Sequence, residues 1–224
     1  VPGHKYYLST AQLNPKPDNI RDFWETGMTS NTNLSFAKSG QGYSTRLGFT
    51  KQAVSGVIPN SKNDRTIVSG NINLGINKFI STGADFSYAR QIVYGDFNDG
   101  FINTTTGNFY QWNHRHLDMG IMKELRSLIT PAGTTASWNW YHNPNAYKPE
   151  DPAFFYRPNY WFNFYTFLDN ESIKQNKSRL FGNAFIKANI TSDLDIKATI
   201  RIDESTINDE RKVSSVLWPL TDEY

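Results

Sequence analysis

The chain has 224 residues, a formal net charge of +2 and no cysteine. This charge is too small to indicate a nucleic-acid or anionic-membrane surface, and the lack of cysteine excludes disulfides, thiol nucleophiles and cysteine-ligated metal sites. Aromatic residues make up 15% of the sequence, which argues against disorder. No run approaches the ~18 consecutive apolar residues of a membrane-spanning helix, although the alternating strands of a membrane β-barrel need no such run.

The first part of the chain alternates apolar and polar residues with a period of two, which predicts two β-hairpins. The first covers residues 31–51 around a Gly-containing turn at Ser39–Gly42, and the second covers residues 66–89 around a turn at Asn77–Lys78. The connection between the hairpins is expected to be a loop at Gln52–Asn63.

A long insert follows at residues 91–176, and it is too long for a passive connection within a compact domain. Apolar residues at helical spacing predict one short helix inside it. These residues are Leu117, Ile121, Leu125 and Leu128. A Pro and a Gly at positions 131 and 133 end the helical pattern.

A third hairpin is predicted at residues 180–203, with its turn at Thr191–Asp193. On its last strand one face is apolar, whereas the other carries Asp195, Lys197, Arg201 and Asp203. Soluble antiparallel sheets alternate in the same way. Several predicted strands reach ~10 residues, however, which is typical of tilted membrane-spanning strands rather than of the ~5–6 residues of average soluble strands.

Several segments, taken in this order and spacing, resemble SusC/RagA-type TonB-dependent transporters. They are Asp18–Gly27, Leu34–Gly40 with Tyr43–Leu47, Ser55–Ser61 followed by Arg65 and Asn71, Arg115–Met119, Asn159–Trp161 and Arg179–Asn183. The first resembles the segment that leads into the barrel, the third resembles a recurrent loop, and the segments at Arg115 and Asn159 resemble extracellular-loop signatures. The resemblance implies an all-β fold, namely a large antiparallel transmembrane β-barrel of 22 strands with an N-terminal plug.

The same resemblance implies a function. It implies an integral protein of the Gram-negative outer membrane that imports oligosaccharides or peptides, is energised by TonB, and is covered by a SusD-like surface lipoprotein lid. It implies no cofactor.

The whole chain, residues 1–224, is expected to be part of the barrel domain, with strands at about residues 30–90 and 177–203 and with residues 91–176 as a long extracellular loop. Neither a TonB box nor a plug domain is recognisable in it. A barrel of 22 strands needs at least ~220 residues for strands alone, and an open sheet would leave edge N–H and C=O groups unpaired in lipid. We therefore expect the chain to be part of a longer barrel.

Loop length predicts the orientation, because outer-membrane barrels have short periplasmic turns and longer extracellular loops. The three short turns are therefore expected in the periplasm. The segments at Gln52–Asn63, at residues 91–176 and beyond Glu204 are expected outside the cell.

Patterns for metal binding and catalysis are weak. His114 and His116 form a His-x-His pair without an acidic third ligand at suitable spacing. Asp96–Gly100 gathers oxygen ligands but lacks the full calcium-loop pattern, so that a plain polar turn is the alternative. The carboxylates of Glu150–Asp151 and Asp169–Glu171 do not suggest the opposed pair of a glycosidase. Neither a metal site nor an enzyme is predicted.

Aromatic clusters in the insert are the candidate substrate or partner contacts, because aromatic rings offer a large apolar area for stacking. They are Trp138, Trp140, Tyr141, Tyr160 and Trp161. The alternative is that these rings pack a small core within the insert. A second set of aromatic residues is expected to face lipid, at Tyr43, Phe49, Phe86 and Tyr88.

Two other functions remain open, a soluble β-sandwich module that binds carbohydrate and a β-rich enzyme. The sandwich predicts that Leu194, Ile196, Ile200 and Ile202 are buried between two sheets. The barrel predicts that the same side chains point outward into lipid, while Lys197 and Arg201 face a lumen.

Overall fold

The computed structural model describes residues 5, 14–95, 114–130, 135–138 and 162–217. In this part the chain is all-β, with one six-stranded antiparallel sheet in which every strand pairs with its neighbours in sequence. The strands are β1 (Met28–Gly40), β2 (Tyr43–Ser55), β3 (Lys62–Gly75), β4 (Ile80–Tyr94), β5 (Glu171–Asn189) and β6 (Asp195–Val213). The helices are α1 (Asn19–Phe23), α2 (Met119–Leu125) and α3 (Phe164–Asn170), with a 3-10 turn at Ser215–Leu217.

The three predicted hairpins are confirmed, but the strands are longer than the alternation indicates. β2 and β3 shorten the predicted loop at Gln52–Asn63 to residues 56–61, and β6 continues past Glu204 to Val213. The prediction ended each strand where apolar residues stop, whereas backbone pairing depends only on N–H and C=O groups. Gln52 and Arg65, for example, are both polar and lie directly opposite each other in the β2–β3 ladder.

The connections divide into two kinds, and each kind lies at one end of the sheet. Short turns at residues 41–42, 76–79 and 190–194 form the turn end. The other end, which we call the loop end, holds the approach to β1, residues 56–61, the long connection between β4 and β5, and the chain after β6. The predicted alternation of short turns with longer connections is thus confirmed.

The predicted helix in the insert is shorter than its apolar spacing indicated. α2 begins after Asp118, whose carboxylate caps the amides of Gly120 and Ile121 at 2.9 and 3.2 Å. It ends at Leu125, before an isolated β-bridge between Ile129 and Thr135. None of the described helices is long and apolar enough to cross a membrane.

The buried face of α2 also differs from the predicted stripe. Met119 and Met122 are buried, whereas Leu117, Ile121, Leu125 and Leu128 are only partly buried. The spacing rule identified the element correctly but assigned its inner face to the leucines, because the rule could not show which neighbours would pack against it.

The sheet is open in the described residues. β1 pairs only with β2, and β6 pairs only with β5, so that each of these outer strands has one edge without a described partner. The described residues therefore do not form a closed 22-stranded barrel.

Two glycines of the sheet lie on either side of one aromatic ring. Phe86 of β4 is directly opposite Gly70 of β3 and Gly182 of β5. A Cβ at Gly70 would lie 2.4 Å from the Phe86 ring, and a Cβ at Gly182 would lie 2.3 Å from the backbone oxygen of Asp85. The small residues therefore allow the ring and the backbone of β4 to approach both neighbouring strands closely.

Candidate functional site

The candidate site is the sheet surface itself, because its two faces differ sharply in chemistry. Directly opposed residues of antiparallel strands share a face, and we call each set of opposed residues across the sheet a row. One row, for example, contains Leu34, Phe49, Val68, Tyr88, Leu180 and Glu204. The pairing register therefore assigns every strand residue to one of two faces.

One face, which we call the apolar face, carries most of the large apolar side chains of the strands, whereas Ile67, Phe181 and Phe185 are among those on the other face. Its exposed members include Leu34, Phe36, Leu47, Phe49, Val68, Ile72, Leu74, Phe86, Tyr88, Ile186, Ile196, Ile200 and Ile202. Leu194, in the last turn, and Ile196 and Ile200 on β6 are 54%, 60% and 74% exposed. The sandwich hypothesis required these side chains to be buried between two sheets, and the structure contradicts it.

The apolar residues form a band of limited height. Towards the loop end the band stops at a polar row that contains Thr32, Lys51, Thr66, Arg90, Ser178 and Thr206. From Val68 on β3 to Ile76 in the turn that follows it, the band extends about 27 Å along the strand direction, or about 20 Å after the usual barrel tilt. This height is close to the ~25 Å apolar belt of outer-membrane barrels.

The band also shifts along the strands from one side of the sheet to the other. On β1 it holds Leu34 and Phe36 and gives way to Lys38, which shares a row with Ile72 and Ile200. On β6 the apolar residues end at Ile202, and Glu204 already occupies the row of Leu34. A belt parallel to a membrane crosses the rows obliquely in this way when the strands are tilted.

The opposite face, which we call the polar face, is rich in amide, hydroxyl and charged groups. Thr50 donates to Asn33 at 2.8 Å, and Gln91 donates to the side chain of Asn63 at 3.0 Å. Arg179 and Asp203 form a two-bonded ion pair at 2.9 and 2.7 Å. Lys197 and Arg201 lie on this face, opposite in direction to Ile196 and Ile200, as the barrel hypothesis predicted.

The main hydrophobic core of the described residues lies at the loop end and not on the sheet. Its buried members are Phe23, Met119, Met122, Phe164, Tyr165 and Leu168, and we call them the loop-end cluster. The ring of Phe23 contacts those of Phe164 and Tyr165 at centroid distances of 6.0 and 5.7 Å. The cluster joins the approach to β1, the insert and the helix that precedes β5.

Polar contacts fasten the same segments together. Asn163 donates to the carbonyl of Met122 at 2.8 Å, and Asp169 pairs with Arg126 at 2.8 Å. Asn60, in the β2–β3 connection, adopts a positive φ of 65° and donates to Leu168 and Asp169 at 3.1 and 3.0 Å. The insert is therefore anchored to the sheet through both its own helix and the β2–β3 connection.

Tyr165 is the titratable residue of the loop-end cluster, and its pKa is shifted. Burial raises the pKa of its phenol, and the negative charges of Glu25 and Asp22 raise it further. The hydroxyl of Tyr165 and the indole N–H of Trp138 are buried without a hydrogen-bond partner among the residues that the structure describes.

Trp138 is the one predicted contact residue that the structure describes. Its ring stacks on Phe164 at 6.0 Å and meets His114 edge-on at 5.4 Å, so that it packs against the loop-end cluster. This contact is the one expected if aromatic residues pack a core within the insert. The other predicted contact residues, Trp140, Tyr141, Tyr160 and Trp161, lie outside the described residues.

The weaker candidates for metal binding and catalysis are placed as follows. The rings of His114 and His116 stack on each other at 5.5 Å. In the described ranges no three His, Asp or Glu side chains are grouped to hold a metal ion. Asp169 is engaged by Arg126, and Glu171 forms an ion pair with Arg211. Asp96–Gly100 and residues 150–151 lie outside the described part.

Sequence analysis missed the partners that form the loop-end cluster. Phe23 is separated from Phe164 and Tyr165 by most of the chain, and no local pattern marks it as their neighbour. Sequence analysis also missed the basic residues beyond the apolar band, although Lys51 and Arg90 are the next residues on the same face after Phe49 and Tyr88.

We expect replacement of Asp118 to destabilise α2. The Lys16 ammonium, 2.9 Å away, and the capped amides hold the pKa of this carboxyl below its usual value. Asp118→Ala should destabilise the helix by about 1 kcal/mol. Asp118→Asn, which keeps a capping oxygen but loses the charge, should cost less. Hydrogen exchange of the α2 amides in the folded protein measures both effects.

The pH dependence has a defined sign. A carboxyl whose pKa is lower in the folded state stabilises the fold above its unfolded pKa of about 3.9, and this contribution disappears as the pH falls through the folded value. The difference between wild type and Asp118→Asn should therefore shrink in acid. A difference that grows in acid would contradict the role assigned to the ion pair.

Comparison with known proteins adds little. No protein-family model matches the chain, and no curated protein is similar to it. Among solved structures, a chain described as "Pore forming protein" aligns with 10% identity and a TM-score of 0.18, covering 83% of this chain and 95% of that one. A TM-score this low carries no argument about fold or function.

Proposed function

We propose that this sheet is part of the wall of an outer-membrane β-barrel that lets a polar solute cross the membrane. The observation that supports it is the separation of the two faces across all six strands. One face carries an exposed apolar band whose height is close to that of the apolar belt of outer-membrane barrels, and the other is rich in amides, hydroxyls and charges. A water-filled lumen on one side and lipid on the other is the pair of environments that these surfaces match.

The open edges support the same proposal. β1 and β6 each present a strand edge without a described partner, and unpaired backbone groups cost several kcal/mol each in hydrocarbon. Further strands of the complete wall would pair with these edges. Following the loop-length rule, the loop end faces the cell exterior and the turn end faces the periplasm.

The narrower proposal is a SusC-type TonB-dependent importer of oligosaccharides or peptides with a SusD-like lipoprotein lid. Its support is the set of motifs that resemble this family. Two of them occupy the loop end, since Ser55–Ser61 forms the β2–β3 connection and Arg115–Met119 leads into α2. TonB would act on a plug domain supplied by another part of the protein. Uptake that persists after deletion of TonB would refute this narrower part.

Single-cysteine labelling tests the wall directly, because the 224-residue chain has no cysteine of its own. The variants are Ile200→Cys in the apolar band, Arg201→Cys on the polar face and Asn208→Cys on the apolar-face side beyond the band. In intact outer membranes we expect a hydrophilic maleimide to label the Cys variants of Arg201 and Asn208. A lipid-soluble maleimide should be needed for the Cys variant of Ile200.

The matched pair at positions 200 and 201 controls for local folding, because the two residues are adjacent on one strand and a cysteine at one position points to the opposite face from a cysteine at the other. Equal labelling of both positions by the hydrophilic reagent would contradict the wall. Failure of the Asn208→Cys variant to react from outside intact cells would contradict the orientation.

A further inference from the structure

Basic side chains gather on the apolar face just beyond the band, at the loop end. Lys51 and Arg90 lie in the first polar row, directly after Phe49 and Tyr88 of the same strands. Two apolar-face rows further towards the loop end, Lys62 lies on β3 and Lys174 lies on β5. We call these four residues the basic rim. Sheet geometry places Lys51 and Arg90, two strands apart, about 9.5 Å from each other along the row.

The basic rim has an excess of positive charge over its surroundings. Within β2–β5, Asp64 is the acidic residue on the same face in these rows, and it lies 3.7 Å from Lys51. On the neighbouring β6, Glu204 and Glu210 share the face; Glu210 lies directly opposite Lys174 and pairs with Lys212 at 2.8 Å. Lys174 lies over the ring of Tyr94 at 5.6 Å. The rim on β2–β5 thus remains net cationic.

The position of the rim selects its partner. Below it lies the exposed apolar band, so that a molecule that contacts both the band and the rim must join acyl chains to an anionic head. Lysine and arginine next to a membrane surface attract anionic headgroups. A soluble anion would gain nothing from Phe49, Val68 and Tyr88, and a nucleic acid would not use an apolar band at all.

We propose that the basic rim binds the phosphate-bearing headgroup of an outer-leaflet lipid whose acyl chains lie on the apolar band. This inference rests on the proposed membrane wall. It names the class of lipid and the residues that bind it. It also predicts that the wall prefers anionic lipid in one leaflet only.

Spin-labelled lipids test the proposal in the full-length protein reconstituted in phosphatidylcholine vesicles. The probes are spin-labelled phosphatidic acid and spin-labelled phosphatidylcholine with the same chains, and the readout is the motionally restricted fraction in the electron paramagnetic resonance spectrum. We expect the wild type to prefer phosphatidic acid by about three- to tenfold. Replacing Lys51, Arg90, Lys62 and Lys174 together by Gln should reduce the preference to near one.

The control removes four cations from the polar face of the same sheet. They are Arg46, Arg65, Lys187 and Lys197, each replaced by Gln. This variant should keep the wild-type preference. Equal loss in both variants, or a wild type without preference, would overturn the lipid site. So would abolition of the preference by inorganic phosphate at constant ionic strength, because the rim would then bind phosphate without regard to acyl chains.

The two proposals fail in different ways. If neither lipid shows a motionally restricted fraction, the wall itself is refuted. If both lipids are restricted equally, the wall stands and only the headgroup site is refuted.

Discussion

For the proposed membrane wall, replacement of Ile72 by arginine is expected to prevent most of the protein from assembling in the membrane. Ile72 lies at the middle of the apolar band on β3, an interior strand, opposite Thr45 and Ala84. Its side chain is 41% exposed, so that an arginine here would project from the sheet and not into a protein core. An arginine near the bilayer midplane costs about 2–4 kcal/mol on the lipid face of a barrel.

Asn71→Arg is the matched control, because the neighbouring residue presents its side chain to the polar face and is exposed. The measurement is the fraction of folded protein in outer membranes, read from heat-modifiable mobility on a gel, together with the urea midpoint after reconstitution. Ile72→Arg should lower both, and Asn71→Arg should change neither strongly. If Asn71→Arg were the more damaging change, the assignment of the two faces would be reversed.

Substituting Gly182 by alanine is expected to weaken the β4–β5 pairing more than an equal change at Gly70. An added Cβ at Gly182 would lie 2.3 Å from the backbone oxygen of Asp85 and 3.0 Å from the Cα of Phe86. Backbone atoms of a paired strand cannot rotate away, so the two strands must separate. Overpacking of this kind typically costs about 1–3 kcal/mol.

At Gly70 the added methyl group would meet only the ring of Phe86, which ends a rotatable side chain. Gly70→Ala should therefore be the milder change, although both glycines lie in the same row. Urea unfolding of the reconstituted protein ranks the two variants. An equal loss of stability would show that the ring, and not the backbone of β4, sets the tight spacing.

The sheet could be predicted from sequence because its signals are local. Period-two alternation and short turns rich in Gly, Asn, Ser or Asp identify each hairpin, and direct pairing of neighbours in sequence follows from them. The alternation also predicted the two faces, since Ile196 and Ile200 oppose Lys197 and Arg201 in direction. Strand ends were placed too early because the polar extensions of β2 and β6 keep the backbone ladder without the apolar signal.

The loop-end cluster could not be predicted in the same way. Its contacts join Phe23, Met122 and Phe164, which are far apart in sequence and belong to helices of five to seven residues. Such short helices gain little stability of their own, so their position is decided by tertiary packing. Sequence analysis identified Trp138 as notable but could not show that it stacks on Phe164.

The loop-end cluster imposes an order on biogenesis. β1 to β4 are joined by connections of at most six residues, whereas residues 95–170 separate β4 from β5, and Phe23 contacts Phe164 across a still longer stretch. Closing longer loops costs more entropy, and contacts distant in sequence form slowly. The first four strands can therefore pair early in assembly. The loop-end cluster then forms late, after the β5–β6 hairpin has paired with β4.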